Sequence, residues 1–170
     1  GSWRMNYEQR YKKVNLFFDK YPTLLNIFYK LYKYLPLIIA GVYAVLVVYT
    51  FFFKNWEYTI KVVLVPLVTF ISVSVLRKVI DSKRPYVKYN ITPLIKKDKQ
   101  SESFPSRHTV SATIIAMSCL YINAWLGIVM LIASCIMAIM RVLAGVHFAK
   151  DVIAALIFGI VFGIIGFGIF

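Results

Sequence analysis

Twenty consecutive residues, Tyr34 to Phe53, carry no charge, and thirty-two more, Thr109 to Met140, carry none either. A helix needs about 20 apolar residues to cross roughly 30 Å of hydrocarbon, so each stretch is long enough to leave water. Tyr58 to Ile80 forms a second span, with Lys61 near one end and Arg77 and Lys78 at the other. The 32-residue run exceeds one ordinary crossing and reads as a hairpin of two spans turning near Asn123-Ala124. Val152 to Phe170 supplies a fifth span of 19 residues, with Gly159 and Gly163 at the spacing that lets helices pack closely. The expected fold is all-α: a polytopic membrane helix bundle of about five transmembrane helices.

Composition agrees and narrows the function. Apolar residues make up 60% of the chain and charged residues 16%, with a mean hydropathy of +0.71. An average soluble domain has roughly 45–50% and 25%, so an ordinary cytosolic enzyme, a disordered chain and a secreted disulfide scaffold are excluded. Cys119 and Cys135 both lie inside apolar runs and read as packing residues. Twenty Lys and Arg against seven Asp and Glu leave +13, a charge that seeks anions. In a membrane protein with its cations near the span ends, lipid headgroups and a phosphorylated substrate are favoured over nucleic acid.

The chain before Leu35 is too polar to span, yet Leu24, Leu25, Phe28, Leu31, Tyr32 and Leu35 repeat at helical spacing. That pattern predicts an amphipathic helix lying in the membrane interface ahead of the first span. Gly1-Ser2 reads as a cloning remnant, with Met5 the expected natural start. The expected division is residues 1–35 for remnant and interfacial helix, and 36–170 for the transmembrane core.

In a five-span zigzag the basic residues are not scattered. Seven Lys and Arg precede Leu35, nine lie from Arg77 to Arg107, and Arg141 and Lys150 complete eighteen of the twenty on one face. Both histidines, His108 and His147, fall there with Asp151. Ionisable groups at span ends are costly unless paired or functional. Each has a bland reading alone: Arg77 as a topology charge, Arg84 as a solvated loop residue, either histidine as interfacial. Their joint placement points instead to a cationic pocket for phosphate.

Spacing adds chemistry to that pocket. Arg77 and Arg84 are seven apart, close to two helical turns, and share a side if the helix continues that far. Pro105-Ser106-Arg107-His108 opens a helix with Ser106 as N-cap, and a helix N-terminus attracts anions. Arg141 can hold two phosphate oxygens through parallel hydrogen bonds. His147 and Asp151 are four apart, so on a helix the carboxylate would hold one ring nitrogen and leave the other free to attack. His108 is a second imidazole able to protonate a departing oxygen.

These residues resemble the three signature motifs of the type 2 phosphatidic acid phosphatase family, related to vanadium haloperoxidases and glucose-6-phosphatase. The family pattern is Lys, six residues, Arg-Pro; then Pro-Ser-Gly-His; then Ser-Arg, five residues, His, three residues, Asp. The corresponding positions are Arg77-x6-Arg84-Pro85, Pro105-Ser106-Arg107-His108 and Met140-Arg141-x5-His147-x3-Asp151. The resemblance implies that His147 is the nucleophile forming a phosphohistidine, Asp151 its orienter and His108 the general acid. Arg77, Arg84, Ser106 and Arg141, with the backbone near Arg107, would hold the phosphate. Arg107 could also add a donor or narrow the pocket. Neither metal nor other cofactor is implied, and no acidic or His/Cys cluster stands at ligand spacing.

Three positions depart from the pattern: Arg77 replaces Lys, Arg107 replaces Gly and Met140 replaces Ser. The family core has six spans and five are visible, the first being the one that is missing. The implied protein is a cell-membrane lipid phosphatase with its site on the extracytoplasmic side, acting on a phosphatidic acid-like lipid. A polyprenyl diphosphate or phosphatidylglycerophosphate phosphatase is the alternative, and a lipid-phosphate binding or transport protein the non-enzymatic one.

Overall fold

The structure, a computed structural model, describes residues 6–168. The remnant expected at Gly1-Ser2, the start expected at Met5 and the last two residues of the fifth span lie outside that range. Seven helices follow one another among the described residues: α1 (Tyr7–Lys20), α2 (Pro22–Phe53), α3 (Trp56–Ile80), α4 (Pro85–Lys88), α5 (Arg107–Ile122), α6 (Ala124–Leu143) and α7 (Ala149–Phe167).

Local chemistry sets most of the boundaries. Asn6 and Gln9 form a reciprocal capping box at the start of α1. Proline opens α2, where its missing N–H is no loss. Asn123 ends α5 and caps α6 by accepting the Leu126 N–H at 3.0 Å, so the expected hairpin turns at the expected residue.

Two expectations need correction. The amphipathic stretch up to Leu35 is not a separate interfacial helix, because α2 runs unbroken for 32 residues from Pro22 to Phe53. Amphipathic and fully apolar segments share the same 3.6-residue period, so nothing in the backbone has to stop where the polarity changes. The second correction concerns span lengths. Among the described residues four stretches are long and apolar enough to cross a membrane: α2, Trp56–Lys88, α6 and α7. The remaining expected span is α5, whose 16 residues rise only about 24 Å.

The shorter helix lies at the centre of the bundle. Ala112, Ile114, Ala116, Met117 and Cys119 of α5 are all buried, and the main core cluster gathers around them with Ile39, Leu46, Val62, Met130 and Met137. Helix α7 approaches α5 through its glycines. A Cβ at Gly159 would lie 2.5 Å from the Thr113 Cβ, and one at Gly163 would lie 2.6 Å from the Met117 Cβ. Helix α5 is thereby held so that its N-terminus, the end of α3, the end of α6 and the start of α7 meet at one end of the bundle.

Candidate active site

That end gathers the residues singled out by spacing. Arg77, Arg84, Ser106, Arg141, His147 and Asp151 are all buried, whereas Arg107 and His108 are exposed in the first turn of α5. Each arrives from a different element: Arg77 from the last turn of α3, Arg84 from the residue before α4, and Arg141 from the last turn of α6. His147 lies between α6 and α7, and Asp151 in the first turn of α7.

The route by which Arg77 and Arg84 converge differs from the expected one. Helix α3 stops at Ile80, where Asp81 takes a left-handed conformation with φ 47°. The two arginines therefore do not lie on one continuous helix. The chain turns, and Arg84 is fixed by loop carbonyls instead: its Nε donates to the Ser101 carbonyl at 3.2 Å and its Nη1 to that of Val146 at 3.1 Å. Arg77 points its Nη1 toward the Pro105 carbonyl at 3.5 Å.

His147 and Asp151 also meet without sharing a helix. Helix α7 begins only at Ala149, so their four-residue spacing is not a helical one. Asp151 folds back as a helix-start carboxylate and accepts the Phe148 N–H through Oδ2 at 2.8 Å. The same oxygen lies 3.6 Å from His147 Nδ1, beyond hydrogen-bond distance. The imidazole is held instead by Ser103, whose carbonyl is 2.9 Å from Nδ1. Ser103 also donates from Oγ to Asp151 Oδ2 at 2.5 Å. Ser103 is fully buried, and the motif spacing gave no hint of it, because its contacts with His147 and Asp151 reach across 44 and 48 residues of chain.

This arrangement determines the tautomer. A carbonyl at 2.9 Å requires the proton on Nδ1, leaving the lone pair on Nε2. Nε2 faces Arg84 Nη1 at 3.3 Å. Burial, with the charges of Arg84 and Arg141 beside it, pushes the His147 pKa below its ordinary value, against the opposing pull of Asp151. The imidazole is thus neutral at neutral pH, with the Nε2 lone pair unprotonated.

The second motif behaves as a helix start. Ser106 caps α5 by accepting the Thr109 N–H, and its own N–H donates to the Asp151 carbonyl at 3.0 Å. Arg107 lies inside the helix and has no positive φ, so the glycine of the family pattern is not required there. Its guanidinium stacks over Phe70 at 5.5 Å. Both Arg107 and His108 line a groove of about 270 Å³ with Ser111 and a mostly apolar wall that includes Pro36, Ile39, Phe70 and Met137.

The electrostatics call for an anion. Three guanidinium groups, those of Arg77, Arg84 and Arg141, are each at most 4% exposed, and among the described residues no carboxylate comes within ion-pair distance of them. Burying unpaired charge is strongly unfavourable, so a site of this kind is built for a counter-charge that arrives from outside. Lys97, a loop residue that spacing did not single out, adds to the field. Its burial, and then Arg141, Arg84, Arg77 and Arg107, push its ammonium down to about 8.

Comparison with known proteins places this arrangement. A family model described as "PAP2 superfamily" matches residues 58–170. No curated protein matches the chain significantly. Among solved structures it is similar to Aquifex aeolicus LpxE, with a TM-score of 0.72 and 22% identity over 96% of this chain and 99% of that one. It is also similar to a transmembrane PAP2 type phosphatidylglycerolphosphate phosphatase from Bacillus subtilis, with a TM-score of 0.53 and 21% identity over 96% of each chain.

Proposed function

This chain belongs to the PAP2 superfamily, and from that membership we propose that it is a membrane-embedded lipid phosphatase working through a phosphohistidine at His147. The observation that carries the reading is the set of three buried, carboxylate-free arginines, one of which, Arg84, faces the Nε2 lone pair of the His147 imidazole.

In the proposed reaction a phosphoryl group enters between the arginines and takes over the Arg84 N–H that now faces Nε2. Arg77, Arg141 and the N–H groups at the start of α5 neutralise its oxygens, and Ser106 shapes that start as the cap. Nε2 attacks phosphorus as the bond to the lipid oxygen breaks, and His108 gives that oxygen a proton. Positive charge developing on His147 is stabilised through Ser103 and Asp151. His108 then takes a proton from water as it attacks the phosphohistidine, and inorganic phosphate leaves. No step draws on a metal ion.

The groove beside His108 supports a lipid as the carrier of the phosphate, since an acyl or prenyl chain fits its apolar wall. A phosphatidic acid-like monoester is the first candidate. Lys97 and Arg107, two cations beyond the buried three, favour a lipid diphosphate as the second. We place the protein in the cell membrane with its site on the extracytoplasmic side, in line with the bacterial family members it resembles. The seven basic residues before Leu35 argue for the opposite orientation by the positive-inside rule. A cysteine at Ser101, with Cys119 and Cys135 replaced, decides between them. Labelling of intact cells by an impermeant maleimide supports the outward site, and labelling only after lysis refutes it.

The activity is tested by phosphate release from a panel of lipid phosphates by the purified full chain. Turnover should persist in EDTA and fall with vanadate, whose five-coordinate form resembles the in-line transition state. Loss of activity in EDTA with recovery in Mg²⁺ overturns the mechanism.

A further inference from the structure

The reaction proposed above makes no use of the N-terminal part of α2, which lies outside the family-matched residues 58–170. One side chain from it nevertheless enters the site. The Tyr32 ring lies against the Arg141 guanidinium, whose Cζ is 4.8 Å from the ring centroid. Phe28, Met140, Leu143 and Tyr86 pack in the same cluster and fix that ring in place. Pro36, four residues on, has no N–H to give the Tyr32 carbonyl, so the helical ladder is interrupted at this point.

The polar ends of this pair are unusual. Five buried side-chain nitrogen or oxygen atoms among the described residues have no hydrogen-bond partner, and two of them are the Tyr32 hydroxyl and Arg141 Nε. Buried polar groups are nearly always satisfied, so two orphans on residues in contact call for a common explanation. The hydroxyl and the guanidinium are close enough to interact, yet neither orphaned atom has a partner in hydrogen-bond geometry. Nε is a donor only, and the hydroxyl can donate as well. The missing group is therefore an acceptor able to receive two hydrogen bonds at once, in a place where three arginines already attract negative charge.

We propose that the Tyr32 hydroxyl is a phosphate ligand, donating to a phosphoryl oxygen that Arg141 Nε also holds. Helix α2 thereby supplies one wall of the phosphate pocket. The assignment rests on the reading of this pocket as a phosphate site, and it adds a neutral donor to a set otherwise composed of cations and backbone.

Tyr32→Phe isolates the claim, because it keeps the ring, its packing and its stacking on Arg141 and removes only the hydroxyl. The measurement is calorimetric binding of orthovanadate to the purified full chain, with the thermal midpoint recorded alongside. Binding should weaken about tenfold at an unchanged midpoint, and kcat/KM for a phosphomonoester lipid should fall by a similar factor. Vanadate affinity within twofold of wild type overturns the assignment. Should the wild type bind vanadate yet release no phosphate from any lipid, the enzymatic reading fails while the comparison of the two affinities still decides the role of Tyr32. Should the wild type bind no vanadate, both fall together.

Discussion

The two ends of the helix bundle are built from the same kinds of helix and could hardly differ more. At one end α2 passes to α3 in two residues and α5 to α6 in one, and aromatic side chains stand outward: Phe53 is 74% exposed, Trp56 71% and Trp125 80%. At the other end a 26-residue connection joins α3 to α5, and the charged groups are buried inside it. A tight turn leaves few backbone groups to satisfy and frees its side chains to face lipid headgroups. The long connection does the reverse. Its carbonyls at Ser101, Ser103 and Pro105 become the partners of Arg84, His147 and Arg77. Loop backbone, rather than a network of carboxylates, orients the cations here, which leaves their charge free for a ligand.

The contrast fails if chemistry survives without the imidazole at the polar end. His147→Ala should lower phosphate release at least about a thousandfold, as expected when a nucleophile is lost and only the binding contribution remains. Retention of a tenth of the wild-type rate would show that the nucleophile has been misassigned.

A smaller effect tests how the loop does its work. Ser103→Ala removes the Oγ that donates to Asp151 but keeps the carbonyl that holds His147 Nδ1. One hydrogen bond to a carboxylate is worth about 1.5–3 kcal/mol, so kcat should fall roughly tenfold to a hundredfold with KM little changed. If KM rises and kcat does not fall, Ser103 shapes the pocket rather than supporting the imidazole.

The same contrast separates what could be read from the sequence from what could not. The far turn was legible to the residue, because Asn123 is both a break in the apolar pattern and a helix cap, and both signals are local. Ser106 was legible as a cap for the same reason. Arg77, Arg84, Arg141, His147 and Asp151 were found by their order and spacing, and the structure brings them to one buried place. The means of support were not found. The left-handed turn at Asp81, the non-helical backbone at His147 and the bridging by Ser103 all arise from a connection with no periodicity of its own. In the sequence Tyr32 is one residue of an amphipathic stripe, since its partner Arg141 is more than a hundred residues away and the continuity of α2 past Leu35 has no sequence marker.

The finest comparison uses the two caps of the α5–α6 hairpin, which are chemically alike and sit at opposite ends. Ser106 accepts the Thr109 N–H at the polar end, and Asn123 accepts the Leu126 N–H at the aromatic end. Replacing either by alanine removes one N-cap, at a cost of about 1 kcal/mol of stability. The thermal midpoints of Ser106→Ala and Asn123→Ala should therefore fall by similar small amounts. Turnover should not follow suit. The Ser106 N–H is bound to the Asp151 carbonyl, and its hydroxyl sets the helix start proposed to hold phosphate, so loss of the hydroxyl should slow phosphate release severalfold. Asn123 touches nothing in the site, and its variant should turn over at the wild-type rate at temperatures below its midpoint. If Asn123→Ala slows turnover as much as Ser106→Ala does, the site responds to the stability of the whole bundle, and the division of labour between the two ends is wrong.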